Sequence, residues 1–217
     1  MYKLYYYPGN ANLAPHMLLE ELGVPYELVL VDRDRNAHTS PEYLKLNPNG
    51  RIPTLIDGDL VLYETAAICL HLVDRHPEAG MAPPVGTDAR AEFYKWLVYL
   101  TNTLQAELLT YFYPERLTDD AGAAAQVKAH AERRVGGMLD LIESALARNT
   151  DKGRGPYLLG ENYSAADPYL LMLGRWTRFM QRPARERMHL GHHLALIAAR
   201  PAVQRAFESE GLQEPLY

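Results

Sequence analysis

The sequence predicts two structural units, an α/β unit built on a four-stranded mixed sheet and an all-helical unit after it. Short β-prone runs alternate with helical segments over the first 80 residues, whereas every periodic segment further on has helical spacing. A stretch rich in proline and glycine, PEAGMAPPVG, separates the two regions. We predict domains at residues 1–78 and 87–217, joined by a linker at residues 79–86.

The first unit reads as β-α-β-α-β-β-α. Right-handed crossover rules allow few arrangements of that order, and a four-stranded mixed sheet flanked by helices is the simplest. The predicted strands are residues 3–7, 26–31, 54–56 and 60–63, the last two around the turn signal Asp57-Gly58. The predicted helices are residues 13–22, stopped by Gly23, a short one opened by Ser40-Pro41, and residues 64–75.

The second unit shows only helical periodicity. Apolar residues recur every three or four positions between Phe93 and Leu104 and again between Val127 and Leu146. Three further helices are predicted at residues 164–179, 186–199 and 201–210. The segment Ser164-Ala165-Ala166-Asp167 has the pattern of a capping box at the start of the first of these.

Composition excludes several classes of function. A net charge of -5 over 217 residues argues against general affinity for nucleic acid or an anionic membrane surface. The first residues contain no apolar run long enough for a signal peptide, so we expect none, and no run of roughly 18 apolar residues would cross a bilayer. Its single cysteine, Cys69, excludes an internal disulfide and a multi-cysteine metal site, so we expect no metal and a cytoplasmic location.

Asn49-Gly50-Arg51-Ile52-Pro53-Thr54-Leu55 places a proline directly before the predicted hairpin. A cis Ile52–Pro53 bond would turn the backbone of Ile52 outward and leave its N–H and C=O groups free to pair with an extended peptide. The alternative interpretation is an ordinary trans proline that caps an edge strand.

Two other features lie at predicted helix starts. At Tyr63-Glu64-Thr65, the first amides of the helix attract a carboxylate, and the neighbouring Glu can bind an ammonium group. A carboxylate and an ammonium group are the two charged groups of an amino-acid headgroup. The turn Pro8-Gly9-Asn10-Ala11-Asn12 precedes another helix, a setting that stabilises thiolates. The alternative interpretation of Tyr63-Glu64-Thr65 is an ordinary helix start with an acidic first turn. The alternative for the turn at Pro8-Gly9-Asn10-Ala11-Asn12 is that asparagine occurs there because it tolerates the backbone conformations of turns.

Together these features resemble the cytosolic glutathione transferases over nearly the whole chain. The resemblance rests on KLYYYPGNANLAPHMLLEELG, NPNGRIPTL with YET, and LLGENYSAADPYL followed by RPAVQRAFESEGL, and it looks most like the bacterial beta class. It implies a thioredoxin-like N-terminal domain, glutathione as co-substrate, a role in detoxification and a homodimer. The resemblance implies that the backbone of Ile52, preceding a cis Pro53, binds the cysteinyl backbone of glutathione. It also implies that Glu64 and Thr65 bind the γ-glutamyl group and that Arg35 or His38 binds the glycyl carboxylate.

The chain departs from the beta class at the first turn, where Ala11 stands in place of a cysteine. Cys69 lies within a predicted helix facing the core and does not replace it. A hydrogen-bond donor to the glutathione sulfur is then needed. Asn12 is the first candidate, since it aligns with a serine that follows the beta-class cysteine. Tyr6 is the second, with a sheet residue that points into the core as the alternative interpretation, and Asn10 and Tyr7 come after them.

The resemblance also implies a pocket for a small hydrophobic electrophile, lined from the helical unit by Tyr111, Tyr113 and Trp176, with Phe112 and Phe179 nearby. Gln105 and Ala106 replace positively charged residues of some beta-class members, so substrate preference is expected to differ. The leading hypothesis is glutathione-dependent attack on that electrophile. Alternatives are glutathione-dependent reduction of a disulfide or peroxide, and a non-catalytic glutathione-binding module.

Overall fold

A mixed sheet forms the centre of the first unit in the computed structural model, which describes residues 1–217. Its strands are β1 (Tyr2–Tyr6), β2 (Tyr26–Leu30), β3 (Thr54–Asp57) and β4 (Leu60–Tyr63). They lie in the order β2-β1-β3-β4. β1 pairs parallel with β2 and antiparallel with β3, and β3 pairs antiparallel with β4. The predicted four-stranded mixed sheet of a thioredoxin-like fold is therefore confirmed.

Three helices accompany this sheet: α1 (Leu13–Leu22), α2 (Pro41–Leu44) and α3 (Thr65–Arg75). α1 ends at Gly23, whose φ of 65° is the left-handed conformation that glycine adopts without strain. The Ser40 hydroxyl accepts a hydrogen bond from the Tyr43 amide at 3.2 Å and so caps α2.

The second unit contains only helices. The apolar pattern that predicts one helix around residues 93–104 corresponds to α4 (Asp88–Val98), which is continued by seven π-helical residues, Tyr99–Gln105, and then by α5 (Ala106–Phe112). Such π-helical segments occur often at functional sites, and this one places Thr101 and Gln105 on a cleft that the loops of the sheet unit also line. The other helices of this unit are α6 (Ala121–Asp151), α7 (Ala166–Trp176), α8 (Met188–Ala198) and α9 (Pro201–Ser209).

One hydrophobic cluster of 42 buried residues extends through both units. α7 lies almost wholly inside it, and α1 packs against both α7 and α9. This shared core fixes the turn after β1 against the helical unit. None of the helices combines the length and the apolar character needed to span a membrane.

Candidate functional site

A cleft of about 750 Å³ separates the loops of the sheet unit from α5, α7 and the π-helical segment. This volume lies within the range of about 300–1,000 Å³ that small-molecule sites occupy. Eight residues predicted from the sequence line it: Asn10, His38, Ile52, Pro53, Glu64, Thr65, Tyr113 and Trp176.

The backbone of Ile52 faces this cleft without an internal partner. The Ile52–Pro53 peptide bond is cis. The preceding loop is held by Tyr43 Oη and Asn47 Nδ2, which each donate to the Arg51 carbonyl at 2.7 Å. The N–H and C=O groups of Ile52 itself bond to no other residue. They are available to pair with the main chain of an extended ligand.

Glu64 and Thr65 lie where α3 begins. Glu64 has a φ of 74°, a left-handed conformation that is rare for a residue with a side chain and that clusters at functional sites. Its carboxylate forms no ion pair within the chain. The first amides of α3 have no partner inside the helix and attract an anion. A free acid and an anion-binding helix start therefore stand side by side.

The turn after β1 brings Asn10 to the cleft. Asn10 Oδ1 accepts a hydrogen bond from the Ala11 amide at 2.7 Å, which fixes the side chain and leaves its Nδ2 without a partner in the chain. Trp176 Nε1 donates to the Gly9 carbonyl at 3.1 Å and ties the turn to α7. Asn10 thus presents a free amide donor at the start of α1.

Asn12 does not reach the cleft, and the prediction that it donates to a sulfur is corrected. Its side chain is fully buried. Asn12 Oδ1 accepts from the Tyr7 amide at 3.1 Å, while Nδ2 donates to Glu210 at 2.8 Å. Because both polar atoms of the side chain have buried partners, Asn12 stabilises the turn from inside.

Three further predicted residues lie outside the cleft. Tyr6 is on β1 and shares a sheet face with Leu4, which belongs to the core. Arg35 points to solvent, with 87% of its side chain exposed, and pairs with Asp32 at 3.4 Å. Tyr111 packs against the core beside Lys128, whose Nζ lies 4.8 Å from the ring centre. None of the three lines the cleft, so the roles predicted for them are withdrawn.

Of the two residues predicted for a glycyl carboxylate, only His38 lines the cleft. Its Nδ1 is buried and has no hydrogen-bond partner. Burial, with a smaller contribution from the positive charge of Arg33, lowers the pKa of the His38 imidazole. His38 is therefore a neutral hydrogen-bonding group at neutral pH.

The opposite wall is aromatic. The rings of Phe112 and Trp176 meet edge to face, with centroids 6.2 Å apart. Tyr113 Oη accepts a long contact of 3.5 Å from Arg33 Nη2 across the cleft. Phe179, by contrast, is 74% exposed and is not part of this wall.

Sequence reasoning missed the arginines of the cleft and the acid beneath its turn. Arg33, Arg51, Arg116 and Arg178 all line the cleft. Arg33 and Arg51 lie next to the predicted ligand-binding segments, and this position could have identified them from the sequence. In the sequence, Arg116 and Arg178 resemble charged residues at a solvent-exposed helix end. Glu210 is buried and accepts from the Gly9 amide at 2.7 Å as well as from Asn12.

Comparison with known proteins gives the same family throughout. Residues 1–74 match the family model "Glutathione S-transferase, N-terminal domain". Glutathione S-transferase 3 of Zea mays is 33% identical over 222 residues, covering 98% of this chain and 96% of that protein. Glutathione S-transferase GstA of Escherichia coli O157:H7 is 29% identical over 213 residues, covering 97% and 100%.

Among solved structures, a glutathione transferase homologue from Sulfitobacter, crystallised with bound glutathione, superposes with a TM-score of 0.87. It is 28% identical to this chain, and the match covers 98% of this chain and 99% of the homologue. Sequence and fold agree, and the chain belongs to the glutathione S-transferase family.

Proposed function

We propose that the cleft binds glutathione, lowers the pKa of its thiol and directs the sulfur at a small hydrophobic electrophile. The proposal rests on three groups of the cleft that have no partner within the chain: the Ile52 backbone, the Glu64 carboxylate and the first amides of α3. An extended peptide that has an amino-acid headgroup at one end and a carboxylate at the other satisfies each of them.

Glutathione fits these groups one by one. The Ile52 N–H and C=O groups pair with the cysteinyl main chain. Glu64 holds the γ-glutamyl ammonium group, and Thr65 with the first amides of α3 holds its carboxylate. His38 and Arg51 precede Ile52 in the sequence, whereas Glu64 and Thr65 follow it. We propose that His38 and Arg51 bind the glycyl carboxylate.

Asn10 is the proposed donor to the sulfur, in place of Asn12. Its free amide nitrogen lies in the turn at the start of α1, where the helix dipole also favours negative charge. A free thiol of pKa near 8.5 is mostly protonated at pH 7, and each unit of lowering corresponds to about 1.4 kcal/mol of thiolate stabilisation. The chain supplies no cysteine here, since Ala11 lines the cleft.

The aromatic wall of Phe112, Tyr113 and Trp176 is the proposed contact surface for the electrophile. It faces the turn that carries Asn10, because Trp176 bonds directly to Gly9. Holding an electrophile against the sulfur in this way converts a bimolecular encounter into a reaction within one complex.

Conjugation of glutathione to chlorodinitrobenzene tests this function. We expect measurable turnover by the wild-type protein and a fall in kcat/KM of about tenfold or more for Asn10→Ala, the loss of one hydrogen bond to a charged sulfur. Asn102→Ala is the matched control, since Asn102 is exposed and outside the cleft. Absence of turnover together with tight glutathione binding would instead indicate a non-catalytic module.

We also propose a homodimer and a cytoplasmic location. Large apolar side chains stand exposed on β4 and α4, namely Leu60, Val61, Tyr94 and Val98. Exposed apolar surface of this kind favours association with another chain. A lone buried cysteine suits a reducing compartment. Light scattering from the purified protein should give twice the mass of the chain, and a monomer mass would refute the dimer.

A further inference from the structure

The cleft carries an excess of positive charge that glutathione alone does not account for. Four arginines line it, and Glu64 is its one acidic residue, although the chain as a whole has a net charge of -5. Arginines concentrated in one concave site create a local positive potential that draws in anions.

These arginines have no acidic partners. No carboxylate lies within 4.0 Å of Arg33, Arg51, Arg116 or Arg178. An anionic ligand can therefore bind any of these four guanidinium groups without breaking an ion pair within the chain.

The four divide between the two walls of the cleft. Arg33 and Arg51 belong to the sheet unit, on the same wall as His38 and Ile52, where the proposed function places the carboxylate of glutathione. Arg116 and Arg178 follow α5 and α7 and belong to the aromatic wall.

Both arginines of the aromatic wall are held in place by neutral neighbours. The Arg116 guanidinium lies 3.9 Å from the centre of the Tyr113 ring. The Arg178 guanidinium lies 4.7 Å from the centre of the Phe179 ring, and its Nη1 donates to the Arg175 carbonyl at 3.0 Å. Burial lowers the pKa of Arg178, because lost hydration is not offset by a nearby anion. An arginine stacked on an aromatic ring is pre-organised to bind a carboxylate.

We propose that the second substrate is an aromatic electrophile that carries an anionic group, bound by Arg116 and Arg178 while its ring lies against Phe112 and Trp176. This inference rests on the proposed function and names the substrate class of the same site. The apolar ring and the anion are both required, since the wall offers both kinds of contact.

The reaction balances without any further reactant. The glutathione thiolate attacks the ring carbon that bears a halide, a carbon–sulfur bond forms, and the carbon–halogen bond breaks. The halide leaves with the bonding electron pair, and the thiol proton goes to solvent. The anionic group keeps its charge throughout and serves only to bind and orient the ring.

Two unreactive ligands of the same shape test the proposal, dinitrobenzoate and dinitrobenzamide. Their binding is measured by calorimetry to the full-length protein saturated with S-methylglutathione, which occupies the glutathione wall. We expect the benzoate to bind about tenfold more tightly than the amide, because it gains charge-assisted hydrogen bonds. Raising the ionic strength should reduce this preference, since exposed charges are screened.

Arg116→Gln and Arg178→Gln should each reduce the preference severalfold, whereas Arg133→Gln should keep it. Arg133 is an exposed arginine without an ion pair, and it lies outside the cleft. With the reactive pair chlorodinitrobenzoate and chlorodinitrobenzamide, kcat/KM divided by the uncatalysed rate should show the same order.

Equal affinity of the two ligands for the wild-type protein would overturn the proposal, and that result needs no variant. A preference that survives both glutamine substitutions would overturn the assignment to Arg116 and Arg178. Failure of S-methylglutathione to bind is a separate result, which would overturn the proposed function itself.

Discussion

Ala11 and Cys69 together determine which chemistry a protein thiol can perform here. Ala11 lines the cleft and has no sulfur, while Cys69 is buried on α3 with 1% of its surface exposed. Burial in the core raises the pKa of the Cys69 thiol well above its ordinary value. Any sulfur chemistry in the cleft therefore belongs to the ligand.

Cys69 is predicted to be inert in the folded protein. A thiol that is buried and protonated reacts slowly with alkylating reagents, because the thiolate is the nucleophile. Mass spectrometry after treatment with iodoacetamide should show almost no modification of the native protein and complete modification in denaturant. Rapid alkylation under native conditions would mean that α3 opens far more readily than its packing indicates.

The two asparagines of the first turn show where sequence reasoning stops. The sequence ranks Asn12 ahead of Asn10 as a donor, because Asn12 aligns with a serine of the related class. Asn12 is excluded because its side-chain amide donates a hydrogen bond to the buried Glu210, which lies 198 residues further along the chain. No local pattern contains that partner, whereas Ile52-Pro53 and Glu64-Thr65 are recognisable because their geometry depends on adjacent residues.

At the scale of elements, the end of α9 supports the turn of the candidate site. Glu210 follows α9 and accepts hydrogen bonds from the Gly9 amide, Asn12 Nδ2 and His16 Nδ1, at 2.7, 2.8 and 2.7 Å. Three donors from the turn and from α1 thus converge on one buried carboxylate. The placement of Asn10 depends on this contact between the two ends of the chain.

Glu210→Gln should destabilise the protein. Glutamine has one acceptor oxygen in place of two, and its amide nitrogen would face another donor, so about 2–4 kcal/mol of unfolding free energy is expected to be lost. Urea unfolding measures this, with Glu208→Gln as the control because Glu208 is exposed. Equal midpoints for the two variants would show that the turn is held by other contacts.

The start of α7 depends on Asp167 in a similar way. The Asp167 carboxylate is fully buried and accepts from the Leu158 amide at 3.0 Å, the Ser164 amide at 2.8 Å and the Ser164 hydroxyl at 3.1 Å. The predicted capping box is present mainly through its aspartate, since the Ser164 hydroxyl receives only a long contact of 3.4 Å from Ala166.

Asp167→Ala should cost about 3–5 kcal/mol of unfolding free energy, because it leaves buried amides without partners. The loss would appear as a lower thermal midpoint, and Asp119→Ala, at an exposed position, should leave that midpoint unchanged. If Asp167→Ala unfolded at the wild-type temperature, water or another side chain would have to replace the carboxylate.

At the scale of the whole molecule, a negatively charged chain presents a positively charged cleft. Overall charge and composition predicted a folded, acidic protein and gave no sign of this contrast, because the cleft arginines come from four separate segments. The fold class was predictable, since strand and helix periodicities are local. The electrostatics of the site was not, since it depends on which loops the shared core brings together.

This charge distribution predicts a salt-dependent affinity for glutathione. The Debye length falls from about 30 Å to about 10 Å between 0.01 M and 0.1 M ionic strength, so attraction between the cleft and an anionic ligand weakens. The KM for glutathione should rise severalfold over that range. Arg51→Gln should show a shallower dependence and Arg133→Gln the wild-type one. A KM for glutathione that is independent of salt would contradict the predicted attraction between the positively charged cleft and glutathione.

The most direct measurement is an ultraviolet titration of the thiol of glutathione bound to the wild-type protein and to Asn10→Ala. We expect a thiol pKa clearly below that of free glutathione in the wild-type complex, because Asn10 and the start of α1 stabilise the thiolate. The Asn10→Ala complex should titrate closer to free glutathione, and the Asn102→Ala complex should match the wild type. A bound thiol that titrates like free glutathione in the wild-type protein would contradict the central claim.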